Sequence, residues 1–159
     1  MTFVKMIGAA LCGTILVTAP TFADPVETAS AAGKDASWLI IQTASEVRFD
    51  GKILTLKNVD PSVVMFTNRP ARMAEAIPTA TFVASWDKCG AKSFKSDPPN
   101  AALTSIVDGK LQTATLELSE PRLDGPDLTF EVRLIGGTVS TVGKTVSLFI
   151  DKVCWTCTG

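Results

Sequence analysis

The organisation of the fold is decided by residues 61–102, which read PSVVMFTNRPARMAEAIPTATFVASWDKCGAKSFKSDPPNAA. On both sides of this stretch the chain consists of short segments in which apolar and polar residues alternate, as in half-buried β-strands. Inside the stretch, two arginines, a tryptophan and several prolines replace that alternation. We therefore expect strands on both sides and one long connection between them, and we name residues 61–102 the central segment.

Before the central segment the sequence predicts a β-hairpin. Residues 38–49 and residues 52–59 both show the pattern of a strand. Between them lies Asp50-Gly51, a dipeptide that favours a two-residue hairpin turn.

Within the central segment, local patterns predict three short elements. Residues 63–66 form a third strand, and residues 71–75 form a helical turn. Residues 79–86, which follow a proline, form a short helix with Phe82 and Trp86 on one face together with Val83.

After the central segment the strand pattern returns. Asp108-Gly109 is a second hairpin signal, and residues 120–127 are a connection rich in proline, glycine and aspartate. The predicted strands are residues 101–107, 110–118, 128–135 and 145–153.

These elements predict an all-β protein. About seven strands with a turn signal every ten or so residues are typical of an antiparallel β-sandwich, here with one short helix in the long central crossover. A β-barrel of eight strands is the alternative. Either arrangement forms a single domain over residues 38–159.

The first residues predict export. Lys5 precedes an apolar run, residues 6–17, that is too short to span a bilayer, and small residues at 21 and 23 predict cleavage after Ala23. Residues 1–23 are therefore predicted to be a signal peptide, and residues 24–37 a flexible leader of small and polar residues. The mature protein is expected in the periplasm or outside the cell.

The charge balance excludes two classes of partner. Without Lys5 the chain carries 14 basic and 16 acidic residues. A surface so close to neutral is not expected to bind nucleic acid or an anionic membrane. No other apolar run approaches 18 residues, so no membrane span is expected after signal cleavage.

The chain contains no histidine and no tyrosine, which limits the chemistry it can perform. Catalytic arrangements of the Ser-His-Asp and Cys-His types are excluded, as are the common histidine-bound zinc and iron sites. A non-enzymatic protein without a cofactor or metal is therefore predicted. The alternative enzyme is a small hydrolase that uses carboxylates of the central segment, Glu75, Asp87 and Asp97.

Three cysteines remain in the mature chain: Cys89, Cys154 and Cys157. Export favours disulfides, so either a Cys154–Cys157 bridge or a bridge from Cys89 to one of them is expected, and the connectivity stays open. The C-x-x-C spacing does not predict thioredoxin-like chemistry, because no helix follows it. A thiol or copper(I) site formed by these cysteines is the alternative.

Three motifs occur together in the central segment. They are FTNRPAR at 66–72, FVASW at 82–86 and DPPNA at 97–101. With LSEPRL at 118–123, they resemble a family of small secreted bacterial proteins that carry F-x-[DN]-R-P-x-R, F-V-x-x-W and D-P-P-N-A in this order. The family has no assigned activity, so the resemblance implies one compact exported domain. Asn68 suits a turn with left-handed geometry.

The polar residues of these motifs have two interpretations. Arg69 and Arg72 can form forked hydrogen bonds with carboxylates or stack on Trp86. In the structural interpretation they pair with Asp87 or Asp97 and fix the crossover to the sheet. In the functional interpretation the segment lines a pocket for a small polar or anionic ligand, or contacts an envelope protein, which makes the chain a binding or interaction module. The ligand-binding candidates are Asn68, Arg69, Arg72, Trp86, Asp87, Asp97 and Asn100.

Overall fold

A computed structural model of the protein describes residues 37–69, 71–88, 90 and 93–151. The predicted signal peptide and all of the leader except Ser37 lie outside the described residues. The described part contains eight strands and one helix. They are β1 (Trp38–Phe49), β2 (Ile53–Val59), β3 (Ser62–Thr67), β4 (Ala74–Pro78), α1 (Thr79–Ala84), β5 (Asn100–Val107), β6 (Lys110–Asp124), β7 (Asp127–Gly137) and β8 (Val142–Ile150).

Six of the strands form a closed antiparallel ring in the order β1, β2, β7, β6, β5 and β8, with β8 paired back to β1. The first residues of β1, Trp38–Ile41, pair with β3, whereas Ala44–Phe49 pair with β2. The hairpin of β3 and β4 therefore leaves the ring as an extension of its wall, and we name it the side hairpin. The prediction of an all-β antiparallel fold with one short helix is confirmed, and the sheet closes as in the barrel alternative, with six strands in the ring.

Both Asp-Gly dipeptides lie in hairpin turns. Asp108-Gly109 forms the predicted two-residue turn, whereas the N–H of Asp50 donates to the carbonyl oxygen of Ile53 (3.3 Å), which places Gly51 and Lys52 at the centre of the first turn. Asp50 accepts hydrogen bonds at Oδ1 from the backbone N–H groups of Lys52 (2.9 Å) and Ile53 (2.7 Å). These bonds, the one from Ile53 first, hold the pKa of the Asp50 carboxyl below its usual value of 3.8. In the second turn both central residues have positive φ, 48° for Asp108 and 73° for Gly109, which the twist of a tight hairpin requires.

Two connections differ from the sequence prediction because strand pairing continues through them. Residues 71–75 were predicted as a helical turn, but Ala74 and Ala76 pair with Phe66 and Val64 of β3. The pairing with β3 outweighs the local helix propensity of an alanine-rich run. The connection predicted at residues 120–127 is mostly strand, since β6 runs to Asp124.

A β-bulge explains how β6 passes a proline. The register between β6 and β7 shifts between Ser119 and Arg122, and Glu120 has φ of 46° within that interval. Pro121 has no N–H to donate, and a bulge is one of the few places in a sheet that tolerates this.

The interior of the ring is filled by alternate side chains of every strand, as the period of two predicts. Most of them are leucine, isoleucine or phenylalanine and are almost fully buried. They include Ile40 and Val47 of β1, Leu54 and Leu56 of β2, Leu103 of β5, Leu116 and Leu118 of β6, Leu128 and Phe130 of β7, and Val146, Leu148 and Ile150 of β8.

The helix and the residues after it add an aromatic layer to this core. The predicted helix is confirmed over Thr79–Ala84, and it packs against β3, β4 and β6. Trp86 stacks on Phe94 with ring centroids 4.5 Å apart, and it contacts Phe82 and Phe130 at 5.8 Å each. We name these four residues the aromatic cluster. No helix in the described residues is long and apolar enough to cross a membrane.

One buried polar network joins the ring to the start of the helix. Gln42 is fully buried in β1, and its Nε2 donates to the carbonyl oxygen of Asp60 (3.0 Å). The hydroxyl of Thr79 lies 3.0 Å from Gln42 Oε1 and 2.8 Å from the same Asp60 oxygen. Buried polar groups are stable only when they are paired in this way. The network therefore fixes where the side hairpin returns and α1 begins.

Ion pairs join the outer faces of neighbouring strands. Arg133 of β7 donates from Nη2 (2.5 Å) and Nε (3.1 Å) to the carboxylate of Glu117 on β6, and Lys57 of β2 pairs with Asp127 of β7. The hydrogen bonds from Arg133 and Lys57 lower the pKa values of Glu117 and Asp127 from 4.5 and 3.8, respectively. These pairs are at the surface, where solvent screening keeps their contribution to stability small.

These shifts predict how stability depends on pH. The pKa values of Asp50, Glu117 and Asp127 are lowered in the folded state. The contribution of these three carboxylates to the free energy of unfolding is therefore complete above their unfolded pKa values, and it is lost as pH falls through their lower folded pKa values. With no histidine in the chain, we expect the urea midpoint to be nearly constant between about pH 5.5 and 8 and to fall below about pH 4.5. Glu117→Gln should make the acid branch shallower, and equal midpoints at pH 3 and pH 7 would contradict the assignment.

Candidate functional site

Three of the predicted ligand residues lie at the tip of the side hairpin. Asn68, Arg69 and Arg72 are all exposed there. The backbone N–H of Asn68 donates to Ser37 (3.3 Å), and that of Arg72 donates to the carbonyl oxygen of Asn68 (3.3 Å). The residue with left-handed geometry is Arg72, with φ of 50°, and not Asn68 as the sequence suggested. The turn is thus built by its backbone, and its polar side chains point outward.

The predicted ion pairs of these arginines are not formed. In the described part of the chain, the ion pairs given by the structure involve residues of β1, β2, β6 and β7 and Lys52 of the β1–β2 turn. Neither Arg69 nor Arg72 takes part in one. The crossover is held instead by strand pairing of the side hairpin and by the aromatic cluster. Because pairing with β3 and packing around Phe82 already order the segment, no ionic tether is needed.

The other predicted ligand residues lie near the helix and at the start of β5. Trp86 is 6% exposed and belongs to the aromatic cluster, so its contacts are those of a core side chain. Asp87 is exposed in the turn after α1, and Asp97 donates its backbone N–H to Ser93 (2.9 Å). The carbonyl oxygen of Asn100 accepts from the N–H of Asp151 (2.8 Å). The seven residues therefore fall into two groups, one at the hairpin tip and one around the helix.

The residues of the alternative chemistries are also distributed. Glu75 lies on β4, whereas Asp87 and Asp97 belong to the segment after α1. Among the described residues, no three acidic or cysteine side chains are grouped so that they could hold a metal ion. Cys89, Cys154 and Cys157 lie outside the described residues, so the disulfide and copper hypotheses stay predictions.

The structure shows a surface that the sequence analysis missed, an apolar area on the outside of the wall. Side chains that face away from the core form a row across five neighbouring strands, each directly opposite the next. The row consists of Ala76 of β4, Val64 of β3, Ile41 of β1, Phe149 of β8 and Ala102 of β5. Beside it lies a shorter row of Ala74, Phe66 and Leu39. We name these eight residues the outer apolar face.

This face is exposed on the side hairpin and half-buried on β1, β8 and β5, where Leu39, Ile41, Phe149 and Ala102 lie, and it has a polar border on one side. Val64 is 47% exposed and Phe66 39%. The next outward-facing row along the same strands consists of hydroxyl side chains, with Thr43 opposite Ser147, Ser147 opposite Thr104 and Thr104 opposite Thr113. An apolar area that is contiguous and bordered by polar residues is typical of a contact surface for another molecule.

A sequence signal for this face does exist. The strand SVVMFT buries Val63 and Met65, yet the residues between them, Val64 and Phe66, are apolar as well. In a sheet with one wet face these intervening positions are normally polar. Four successive apolar residues within one strand, 63–66, therefore indicate a second face that avoids water.

An open groove of about 410 Å³ lies away from the predicted residues, at the β1–β2 hairpin. It is bounded by Phe49, Ile53 and Val142 together with Arg48 and Asp50. Arg48 already pairs with Glu46 at 2.7 Å. The groove thus presents no unpaired cation and is a weaker binding site than the outer apolar face.

Comparison of the chain with protein-family models, with curated proteins and with solved structures gave no match. The resemblance of the central segment to small secreted bacterial proteins therefore stays a prediction from its motifs.

Proposed function

We propose that the protein is an exported, non-catalytic interaction domain that binds a partner protein through the outer apolar face. The observation that carries this proposal is the row of five directly opposed apolar residues on the outside of a wall whose inside is already a complete core. The signal-like sequence at residues 1–23 supports export, and the lack of histidine supports a role that does not require proton transfer near neutral pH.

The energetics of this face favour burial by a partner. A fully buried valine or phenylalanine side chain contributes roughly 1.5–3 kcal/mol relative to an exposed one. Val64 and Phe66 are 47% and 39% exposed, so covering the remainder of both contributes on the order of 1–2 kcal/mol. Two aromatic side chains, Phe66 and Phe149, lie within the face, and aromatic residues are enriched at the centres of protein interfaces.

Strand pairing gives this face a rigid support. Each strand that carries the face is hydrogen-bonded to a neighbour, and β1 and β8 are paired on both sides. A surface held in this way loses little conformational freedom on binding, which favours affinity.

A small anionic ligand at the hairpin tip is the second candidate function. Arg69 and Arg72 are exposed, and their guanidinium groups form no ion pair with described residues. Two such groups close together in a turn are suited to a carboxylate or phosphate.

Site-specific photocrosslinking in cells that express the chain tests the main proposal. A photoreactive phenylalanine analogue at position 66 should give a discrete adduct with one protein. The same analogue at Thr113, which is exposed in the hydroxyl row of the same wall, should give none. Equal adducts at both positions, or no adduct at position 66 in a correctly folded and exported chain, would contradict binding through the outer apolar face.

A further inference from the structure

In the part of the chain that the structure describes, the side hairpin ends the sheet with a free edge. Among these residues β4 is the last strand in the order of the sheet, and β3 is the strand that pairs with it. A free strand edge presents backbone N–H and C=O groups that can pair with another strand, and folded proteins usually cover or interrupt such edges. Pro78 interrupts the edge of β4 at its end, but Ala74, Glu75 and Ala76 are not interrupted by a proline.

The hydrogen-bond pattern of the side hairpin shows which backbone groups of β4 point away from β3. The N–H of Thr67 donates to Met73 (2.9 Å), and the N–H of Thr79 donates to Pro61 (2.9 Å). In an antiparallel pair, bonded positions alternate with positions whose backbone groups point the other way. The bonded positions are therefore the odd-numbered residues from 73 to 79. The N–H and C=O groups of Ala74 and Ala76, which lie between them, point away from β3. Among the described residues nothing pairs with them.

The side chains next to this edge define what can be added there. Ala74 and Ala76 lie on the outer apolar face, opposite Phe66 and Val64. Glu75 lies between them on the other face, opposite the buried Met65, and it is exposed. An added strand therefore meets apolar surface at two positions and one negative charge at the position between them.

A second copy of the chain fits this edge poorly. Pairing β4 with β4 of another copy so that Ala74 meets Ala76 in both directions places Glu75 opposite its own equivalent. Like charges directly opposite each other destabilise a strand pair. Sliding the pair so that Ala76 faces its equivalent brings Pro78, which has no N–H, opposite Ala74. Each of these two registers thus loses either charge compatibility or a hydrogen bond.

We propose that β4 is the docking edge for an extended segment of a partner protein, which joins the sheet as a further strand with apolar side chains opposite Ala74 and Ala76 and a lysine or arginine opposite Glu75. The backbone groups of β4 supply the binding energy, and the alternation of apolar and cationic side chains supplies the specificity, as in other cases of β-strand addition. This inference rests on the proposed interaction function and names the chemistry of the partner.

A matched pair of peptides tests the inference. The probes are the end-blocked peptides TVTVKVTVT and TVTVEVTVT, added to the chain expressed with its own signal sequence and purified after export. The lysine peptide should bind about fivefold more tightly than the glutamate peptide, since its central charge is opposite to that of Glu75. In the Glu75→Lys variant the preference should reverse. No preference in either protein would overturn the assignment of Glu75.

A second pair of variants tests the backbone edge. Ala76→Pro removes the outward N–H without removing a bond to β3 and should weaken the lysine peptide about tenfold or more, whereas Ala76→Ser, which keeps the N–H, should not. As a check that does not depend on a variant, hydrogen exchange of the Ala76 N–H should be fast in the free protein and slow with peptide. Unchanged exchange in the presence of bound peptide would overturn docking at this edge.

Two results separate this inference from the function on which it rests. If position 66 gives a crosslink and Ala76→Pro leaves the peptide affinity unchanged, the interaction function stands and docking at the edge of β4 is overturned. Dimerisation of the Glu75→Gln variant in sedimentation, with neither peptide bound, would overturn the inference by showing that the edge accepts a second copy.

Discussion

Replacing Trp86 by alanine is expected to lower the free energy of unfolding by about 3–5 kcal/mol. The indole stacks on Phe94 at 4.5 Å and contacts Phe82 and Phe130 at 5.8 Å each. Its removal leaves a cavity among the side chains of Phe82, Phe94 and Phe130. These side chains cannot collapse into the cavity while strand pairing holds Phe130 in place. Single domains are stable by about 5–15 kcal/mol, so this loss is a large part of the total.

Urea unfolding followed by far-ultraviolet circular dichroism measures this effect, because the signal does not depend on the tryptophan that is removed. Trp86→Phe keeps an aromatic ring in the cluster and should cost clearly less. Leu111→Ala removes an apolar side chain that is 69% exposed and should change stability by no more than about 0.5 kcal/mol. A cost for Trp86→Ala similar to that of Leu111→Ala would show that the aromatic cluster is not part of the core.

Gly137→Ala is the second large expected loss, about 3 kcal/mol. Gly137 ends β7 with φ of 79°, a conformation that only glycine adopts readily. A Cβ at this position would lie 2.4 Å from the carbonyl oxygen of Thr113 and 2.9 Å from the Cα of Ala114. Both are backbone atoms of β6 that cannot turn aside, so β7 would have to shift against its partner.

Gly125→Ala is the matched control for this prediction. Gly125 also has positive φ, 53°, but a Cβ there would have no atom within 4 Å. Its cost is therefore the backbone conformation alone, about 1–2 kcal/mol. Thermal unfolding of the two variants separates the two contributions. Equal melting temperatures would mean that the backbone of β6 moves to accommodate the methyl group added at position 137.

The parts of the fold that could be predicted were set by neighbouring residues. The dipeptides Asp50-Gly51 and Asp108-Gly109 specify tight turns by their own backbone preferences, and the helix at Thr79–Ala84 follows directly after Pro78. Closure of the ring could not be predicted in this way, because it depends on β1 pairing with three different strands. Local patterns carry no information about such distant partners.

The predicted site residues were recognised as unusual, but their roles depend on contacts that sequence does not show. Stacking of the arginines on Trp86 was one of two possibilities that the sequence offered, yet the neighbours of Trp86 are Phe94 and Phe82. Arg69 and Arg72 were predicted to pair with acids and instead lie exposed at a hairpin tip. The outer apolar face was missed because its residues come from five strands and become neighbours only once their register is known.

The split pairing of β1 also constrains the order in which the protein can fold. Ile40 pairs with Ile150. When the chain is synthesised or translocated N-terminus first, β1 therefore emerges first and can complete its pairing only after β8, the last strand, has emerged. Contacts so distant in sequence make folding slow, and until β8 arrives one side of β1 has no partner along its length. A newly delivered chain therefore spends its most aggregation-prone interval with the Trp-Leu-Ile-Ile run at the start of β1 uncovered, and a holdase that shields this run would be expected to raise its folding yield.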